Sequence, residues 1–313
     1  MRYINELRDG EMLNEVYLCK QCQTLKTKTG KNYMALTLQD QTGTLEAKIW
    51  DLGPGIGNVD IMDYVKVEGQ LTTFQNNLQL NVRRIRKADE GEYDPADYMP
   101  VSGRDRKEMF AELKKMTESV KEPHLKSLLQ IVFDDKEISS KFASHSAAKA
   151  IHHAFIGGLL EHTLGVTKLC AQIAEDYPLL NRDLLVTAAI FHDIGKLFEI
   201  SSFPENDYTD EGNLLGHIFL GAEYIGKKIG EVPHFPQKLA AELRHCILAH
   251  HGELEFGSPK KPAIAEALAL SMADNLDAKM ETLKELFAGN ENAAGNWLGY
   301  QKLFESNIRA TSK

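Results

Sequence analysis

The apolar residues change their periodicity between residues 87 and 106, and this change most constrains how the chain can fold. Before it, short runs rich in β-branched and aromatic residues occupy positions 15–25, 33–39, 45–50, 64–74 and 78–85. Turn signals containing glycine or asparagine separate these runs. After it, apolar residues recur at three- and four-residue spacing, which indicates helices. A segment of strands followed by a segment of helices predicts two domains of different architecture.

The five runs predict a small five-stranded barrel of the OB type in residues 1–87. Such barrels usually bind single-stranded nucleic acid or oligosaccharide. Residues 1–90 hold 12 basic and 12 acidic side chains, so the rest of the chain carries the whole net charge of -9. A neutral barrel predicts weak, salt-sensitive binding of a strand.

Basic and aromatic side chains are interleaved along the barrel, which is typical of proteins that stack bases in a positive groove. The candidate nucleic-acid contacts are Lys26, Lys28, Lys31, Tyr33, Lys48, Trp50, Phe74, Arg83 and Arg84. The alternative is that Trp50 and Phe74 fill the barrel interior while the lysines are solvated. The sequence leaves both interpretations open.

Imidazoles and carboxylates interrupt the apolar helical segments of the second domain in a spaced series. The series comprises His162, His192-Asp193, His217, His250-His251 and Asp274. Divalent transition ions bind neutral imidazole and carboxylate, whereas a buried carboxylate without a partner costs several kcal/mol. Each histidine taken singly fits a core or capping role, but one metal cluster accounts for the whole series. We therefore predict a two-metal hydrolytic site.

The same series resembles the HD-domain metal phosphohydrolases, in the variant whose extra histidines hold a second ion. Four segments extend this series: Leu159-Leu160-Glu161-His162-Thr163, His192-Asp193-Ile194-Gly195-Lys196, His250-His251-Gly252 and Asp274-Asn275-Leu276-Asp277-Ala278-Lys279. Through them the chain more narrowly resembles the YhaM family of 3′-to-5′ exoribonucleases, which also carry an N-terminal OB domain. The likeness spans nearly the whole chain.

The resemblance implies which residues hold the two ions. The first ion would be held by His162, His192, Asp193 and Asp274, and the second by His217, His250 and His251, with Asp193 as a bridge. Asp193 and Lys196 are the expected catalytic residues, and Lys196 would offset charge on the phosphate. The family favours manganese, although mixed nitrogen and oxygen ligation also accepts iron, zinc, cobalt or magnesium. His152 and His153 stay outside this ligand set.

These inferences together define an α+β multidomain protein. Residues 1–87 form the N-terminal five-stranded OB β-barrel, residues 88–106 a polar linker, and residues 107–290 an all-α HD domain. Residues 291–313 form a helical tail in which Trp297, Tyr300 and Phe304 recur at helical spacing. The aromatic tail and the resemblance are both compatible with a homo-oligomer.

The expected activity is 3′-to-5′ hydrolysis of single-stranded RNA to nucleoside monophosphates by a water activated between two metal ions. Single-stranded DNA remains open as a second substrate, because this chemistry does not require a 2′-hydroxyl. A basic loop with Lys260 and Lys261 is a candidate guide for the phosphate backbone, or a plain surface turn. No apolar run reaches membrane-spanning length, and the four scattered cysteines agree with a cytoplasmic protein.

Two other functions compete with this interpretation. One is an HD-type phosphohydrolase that acts on mononucleotides or a cyclic dinucleotide, which would have no evident use for a strand-binding barrel. The other is a binding module whose HD domain is degenerate, and the complete set of ligand residues argues against it. Replacing His192 and Asp193 by alanine distinguishes an enzyme from such a binding module, because an enzyme would lose turnover and keep strand binding.

Overall fold

The structure is a computed structural model that divides into two compact units. The first comprises Met1–Gly103 and Ser202–Asn206, and the second Arg104–Ser201 and Asp207–Lys313. The described residues are 1–27, 30–53, 55–74, 77–99, 102–149, 155–288 and 295–312. Within these ranges, no helix has the length and apolar character needed to cross a membrane.

The first unit is a closed five-stranded barrel, which confirms the predicted OB fold. Its strands are β1 (Met12–Lys26), β2 (Asn32–Asp40), β3 (Gly43–Ile49), β4 (Tyr64–Phe74) and β5 (Asn77–Lys87). They follow the order β1-β2-β3-β5-β4, with β4 closing onto β1 and a parallel pair between β3 and β5. Alternate residues of each strand point inward, as Val65, Val67 and Leu71 do in β4, and they form the barrel core.

Residues 88–99 differ from the polar linker that their composition predicts. A short 3-10 turn (Pro95–Tyr98) leaves Tyr98 only 1% exposed, and the ring of Tyr93 stacks on that of Tyr64 at 3.9 Å. Arg86 also pairs with Glu92 through two hydrogen bonds of 2.7 and 2.8 Å. Two tyrosines therefore anchor an otherwise polar segment to the barrel, and the boundary between the units falls at Gly103.

The second unit is built on helices, as the three- and four-residue spacing predicts. They are α1 (Arg106–Glu118), α2 (Pro123–Asp134), α3 (Lys136–Ser144), α4 (Gly158–Asp176), α5 (Arg182–Phe191), α6 (Lys196–Glu199), α7 (Asp210–Glu231), α8 (Gln237–Ala249) and α9 (Ala265–Ala288). Helix α5 is buried from Leu184 to Phe191, and α4, α8 and α9 pack around it. Helices that end at this core bring their last residues together inside the unit.

The C-terminal tail is a β-hairpin, so the predicted helical tail is wrong. Strands β6 (Trp297–Gln301) and β7 (Ser306–Arg309) pair antiparallel, and their register shifts between Trp297 and Tyr300. Gly299 lies in that shift with φ = 84°, a left-handed conformation that glycine adopts readily. Residues 291–294 lie outside the described part of the chain. The three- and four-residue spacing of the aromatic residues therefore comes from a bulged strand and a short 3-10 turn.

Candidate metal centre and nucleic-acid face

The second unit brings the predicted metal ligands together from five helices. They are His162 on α4, His192 and Asp193 after α5, His217 on α7, His250 and His251 after α8, and Asp274 on α9. In that set His162, His192, Asp193 and His250 are almost fully buried. Two groups, one of His162, His192 and Asp193 and one of His217, His250 and His251, each hold ligand atoms within 4.8 Å of one another.

Helix ends explain how these side chains reach one point. Helix α5 is capped at its start by the Asn181 side chain and stops at Phe191, so His192 and Asp193 form the turn that follows. Helix α8 stops at Ala249 in the same way, so His250 and His251 follow its last turn, with His250 still buried. Helix α7 is kinked at Gly216, where φ is 73°, and His217 begins its second segment.

Gly195 allows the turn after α5 to approach α7 closely. A Cβ atom at this position would lie 1.9 Å from the backbone oxygen of His217 and 2.6 Å from the nitrogen of Gly221. Contacts that short do not occur between non-bonded atoms, so any larger residue would force the two segments apart. The missing side chain of Gly195 therefore lets the turn that carries Asp193 pack directly against the backbone of His217.

Asp193 lies between the two groups of histidines. Its Oδ2 is 3.4 Å from His162 Nε2 and 3.5 Å from His192 Nε2. Its Oδ1 is 3.4 Å from His217 Nε2 and 3.6 Å from His250 Nε2. One carboxylate thus offers a separate oxygen to each group, as a carboxylate that bridges two ions does.

Asp274 completes the first group. Its Oδ1 lies 3.1 Å from His162 Nε2 and 3.8 Å from His192 Nε2. This group therefore combines two imidazole nitrogens with two carboxylates, whereas the second contains three imidazoles and the shared Asp193.

All five histidines have their Nδ1 atom engaged by a neighbouring oxygen. The pairs are His162 with Asp277 Oδ2 (2.7 Å), His192 with the Ala189 carbonyl (2.8 Å), His217 with Glu199 Oε1 (3.0 Å), His250 with the Ile247 carbonyl (2.7 Å) and His251 with the Phe256 carbonyl (2.7 Å). An oxygen at Nδ1 favours the tautomer that carries its proton there and leaves Nε2 with a lone pair. The partners therefore orient the rings for ligation.

The charges of the centre favour ionised carboxylates. Burial opposes the charge on Asp193, but the Lys196 ammonium and the His192 imidazole hold the pKa of its carboxyl well below the usual range. Lys196 Nζ lies 2.7 Å from Asp193 Oδ2. Burial lowers the pKa of His192 to about 4, and burial with the neighbouring imidazoles lowers that of His251 to about 4. Burial also opposes the charge on His162 and His250, but their contacts with Asp193 and Asp274 outweigh it and raise the pKa of both, so an ion would have to displace a proton from these two rings. Ionised carboxylate and neutral imidazole are the forms that bind metals.

Three buried atoms of the centre fit a metal because nothing else satisfies them. Asp193 Oδ1, His217 Nε2 and His250 Nε2 have no hydrogen-bond partner within the described ranges. Leaving such groups buried without partners costs about 1–3 kcal/mol each. The two imidazole nitrogens belong to the second group of ligands, and Asp193 Oδ1 faces that group. A divalent ion with mixed nitrogen and oxygen ligation would satisfy all three.

Two orienting carboxylates were not among the predicted site residues. Asp277 lies three positions after Asp274, one helical turn along α9, so its spacing was a usable signal. Glu199 caps the second segment of α7 by accepting hydrogen bonds from the backbone nitrogen and Nδ1 of His217, each at 3.0 Å. No sequence pattern links Glu199 to a histidine eighteen residues later. His152 and His153 lie outside the described residues.

A cavity of about 480 Å³ adjoins the centre in the same unit. It is lined by five of the ligands, His162, Asp193, His250, His251 and Asp274, together with Lys196, Lys279 and Phe256. The basic loop does not line it: Lys261 pairs with Glu253, and Lys260 is exposed. Histidine and carboxylate at one side and two lysines nearby provide a site suited to an anionic substrate such as a phosphoester.

On the barrel, one face gathers part of the predicted nucleic-acid contacts. The rings of Tyr33 and Trp50 stack at 4.8 Å, and Lys48 Nζ lies 5.8 Å from the Tyr33 ring centre. A cavity of about 490 Å³ joins Trp50 to Arg83 and Arg84. Trp50 is 47% exposed, so it does not fill the barrel interior.

Three other candidate contacts of the barrel, Phe74, Lys31 and Lys26, lie within the described residues. Phe74 is 60% exposed at the end of the β4–β5 hairpin, which again excludes the interior. Lys31 is 3.4 Å from Asp51, and Lys26 ends β1. Lys28 lies outside the described residues. Because Asp51 lines the same cavity as Trp50, Lys31 lies close to the face that holds Tyr33, Lys48, Trp50, Arg83 and Arg84.

Comparison with known proteins adds independent matches to both units. Residues 159–279 match the HD domain, and residues 16–88 match an OB-fold nucleic acid binding domain. The 3′-5′ exoribonuclease YhaM of Geobacillus sp. (strain WCH70) is 35% identical over 276 residues, covering 88% of this chain and 84% of that protein.

Solved structures match the chain only distantly. The second OB-fold domain of replication protein A from Methanococcus maripaludis is 22% identical, with 29% of this chain and 96% of that chain covered and a TM-score of 0.22. A replication protein A heterotrimer bound to ssDNA is also 22% identical, with 28% and 64% covered and a TM-score of 0.22.

Proposed function

The chain belongs to the YhaM family of 3′-5′ exoribonucleases, and on that premise we propose that it hydrolyses single-stranded RNA from the 3′ end. The products are nucleoside monophosphates. The observation that carries this function is the position of Asp193, whose two oxygens face two separate groups of histidines beside a cavity with two lysines. A single carboxylate between two sets of ligands is the arrangement that two-metal phosphodiester hydrolysis requires.

Two divalent ions are the proposed cofactors, and manganese is our first candidate. His162, His192, Asp193 and Asp274 would hold one ion, and His217, His250, His251 and Asp193 the other. When bound, such ions would polarise a phosphoryl oxygen and lower the pKa of water in the site. Iron, zinc, cobalt and magnesium accept the same donors, so manganese rests on the family alone.

Lys196 acts on the phosphate in this proposal. Its side chain is 16% exposed, lines the cavity and pairs with Asp193 Oδ2. Burial would lower the pKa of this amine, but the charges of Asp193 and Asp274 raise it above the usual value, so Lys196 stays protonated. A protonated amine at this point stabilises the additional negative charge of the pentacoordinate phosphate.

The barrel binds the strand in this proposal. The stacked pair Tyr33 and Trp50, with Lys48, Arg83 and Arg84, combines an aromatic surface with positive charge, as single-strand binders do. Lys26, Lys28, Lys31 and Phe74, and the loop residues Lys260 and Lys261, remain further candidate contacts. Single-stranded DNA is a second candidate substrate, because hydrolysis by an activated water does not involve the 2′-hydroxyl.

We further propose that the protein is cytoplasmic and forms a homo-oligomer. Its four scattered cysteines support a reducing compartment.

Self-association is supported by an apolar stripe on α9. Exposed apolar side chains recur there every four residues, with exposed fractions between 49% and 64%: Leu268, Met272, Leu276 and Met280. Light scattering after gel filtration tests it: Met272→Glu should lower the molar mass, and a monomeric parent protein would contradict it.

The test of the activity is digestion of a 5′-labelled single-stranded RNA with added manganese and a chelator control. We expect a ladder that shortens from the 3′ end and disappears with chelator. His192→Ala combined with Asp193→Ala should abolish turnover and retain strand binding. An intact RNA beside rapid hydrolysis of free nucleotides or a cyclic dinucleotide would replace this function with the nucleotide phosphohydrolase.

A further inference from the structure

Phe256 lies on the wall of the metal-centre cavity with 64% of its surface exposed. Burying a phenylalanine side chain stabilises a protein, and an exposed ring forgoes that stabilisation. The ring shares the cavity with the ligands His162, His250 and Asp274. An exposed aromatic ring close to imidazole and carboxylate side chains suggests that something apolar and flat covers it during function.

The local backbone fixes where this ring lies. Leu254–Phe256 form a 3-10 turn that Gly257 closes in a left-handed conformation. The carbonyl oxygen of Phe256 accepts a hydrogen bond of 2.7 Å from Nδ1 of His251. The main chain of Phe256 is therefore tied to a proposed metal ligand, and substitution of its side chain leaves that carbonyl in place.

The remaining cavity wall has the chemistry of a nucleotide site. Lys279 is exposed and has no ion pair among the residues that the structure describes, so its amine is available to a phosphate. Asn275 and Ser271 add an amide and a hydroxyl. The volume of about 480 Å³ falls in the range of roughly 300–1,000 Å³ typical of small-ligand sites. A ligand with an anionic group, hydroxyls and a flat ring matches all of these features.

We propose that Phe256 stacks on the base of the 3′-terminal nucleotide and so holds the last phosphodiester beside the metal centre. This inference rests on the proposed exonuclease function and adds the residue that binds the terminal base. Stacking is tolerant of base identity because every base presents a π face. The subsite therefore requires a base at the end of the strand, without selecting which one.

Steady-state kinetics of Phe256 variants on single-stranded RNA measure this contact. Base stacking is worth about 1–3 kcal/mol by alanine substitution, so Phe256→Ala should raise KM between about fivefold and a hundredfold with little change in kcat. Phe256→Tyr should retain the parent KM, and Phe256→Leu should resemble Phe256→Ala. Leu254→Ala is the matched control, since Leu254 is 55% exposed on the same turn and does not line the cavity.

An RNA whose 3′-terminal nucleotide lacks its base gives the second arm of the experiment. The parent protein should show a raised KM for this abasic end, while Phe256→Ala should treat normal and abasic ends alike. Equal discrimination by both proteins would overturn the proposal. The parent protein's 3′ ladder on normal RNA keeps the two questions apart, because its absence would reject the exonuclease function itself.

A fluorescence measurement on the metal-loaded protein reports stacking without turnover. The probe is an RNA with 2-aminopurine at the 3′ end and a CH2 group in place of the last bridging 3′ oxygen, which prevents cleavage. Quenching should occur with the parent protein and Phe256→Tyr and be lost with Phe256→Ala. A strand carrying 2-aminopurine six nucleotides from the end should respond equally to all three. Full quenching by Phe256→Ala would contradict the assignment.

Discussion

Nδ1 of His162 lies 2.7 Å from Oδ2 of Asp277, one helical turn along α9 from the proposed ligand Asp274. Residues three positions apart share a helix face, so α9 supplies both a ligand and the group that orients another ligand. A carboxylate at Nδ1 also makes the opposite nitrogen more basic.

Asp277→Asn tests this relationship. The amide can still accept a hydrogen bond but carries no charge, and loss of such an orienting partner typically weakens metal affinity about 10- to 100-fold. We expect weaker manganese binding by titration calorimetry, with a larger loss for Asp277→Ala. Glu175→Gln, an exposed change on α4, should bind manganese as the parent protein does. Unaltered affinity in Asp277→Ala would show that this carboxylate does not support the centre.

Gly195→Ala should disrupt the centre without touching a ligand. The added Cβ would lie 1.9 Å from the backbone oxygen of His217, so α7 must move away from Asp193. We expect a lower melting temperature and fewer bound metal ions by elemental analysis. Gly230→Ala on α7 is the control, because nothing lies within 4 Å of its Cβ. That change should stabilise the protein by up to about 1 kcal/mol, since alanine favours helix. A parent-like Gly195→Ala protein would refute the proposed close approach.

Lys196→Met separates catalysis from metal binding. Methionine fills similar volume but removes the charge near the phosphate, and the loss of one such electrostatic contact typically costs about 10²–10³ in kcat. Metal content should stay at the parent level, because Lys196 is not a ligand. Lys238→Met, an exposed change on α8, should leave kcat unaffected. If metal content falls together with kcat, the lysine instead maintains the structure of the centre.

Trp50→Ala tests strand binding by the barrel. Loss of a stacking ring costs about 1–3 kcal/mol per base, so single-stranded RNA should bind about fivefold to a hundredfold more weakly. Fluorescence anisotropy at several salt concentrations measures this, and Arg83→Ala should reduce the salt dependence as well. Tyr177→Ala removes an aromatic ring that is 58% exposed on the other unit and serves as the control. Identical affinity for Trp50→Ala and the parent protein would move strand binding away from this face.

His145 should make the helical unit sensitive to mild acid. This imidazole is 2% exposed, Nε2–H donates to the Lys196 carbonyl at 3.0 Å, and burial lowers its pKa to about 4. Above about pH 6.5 the folded and unfolded chains both hold it neutral. As pH falls from 6.5 to 4 only the unfolded chain gains the proton, so this group reduces the free energy of unfolding by roughly 3 kcal/mol.

Urea unfolding of His145→Gln and of the parent protein, both in chelator, isolates that contribution. The amide retains a donor for the carbonyl but does not titrate. The parent protein should therefore lose more stability than the variant between pH 7 and pH 4. Parallel stability profiles would show that His145 is not the responsible group.

Local sequence patterns identified most of the fold, because the spacing of apolar residues and the positions of turn residues are local properties of the chain. The run at residues 64–74 became strand β4, and the apolar stretch before His192 became helix α5 with His192 at its end. Contacts between distant residues were inaccessible to the same reasoning. Tyr93 and Tyr98 pack on the barrel despite a polar context, and Gly299 turns a helix-like aromatic spacing into a hairpin.

The candidate site shows the same division. The proposed ligands are polar residues that interrupt apolar helices, and the pattern reveals such interruptions. Glu199 and Phe256 act through a side chain and a carbonyl that meet histidines only after folding. Their positions depend on the kink at Gly216 and the turn after His251. The spacing of apolar residues in the sequence does not reveal either of these features.

Asp193 serves both groups of ligands with one side chain, and this has a consequence for how such a centre can change over evolution. In the proposed two-metal centre, a substitution that adjusts one half also alters the shared carboxylate, so neither half would change its metal preference on its own. The five helices that supply the ligands are constrained as a set. New specificity can then arise more readily at the cavity wall, where Phe256 and Lys279 lie, than at the ions themselves.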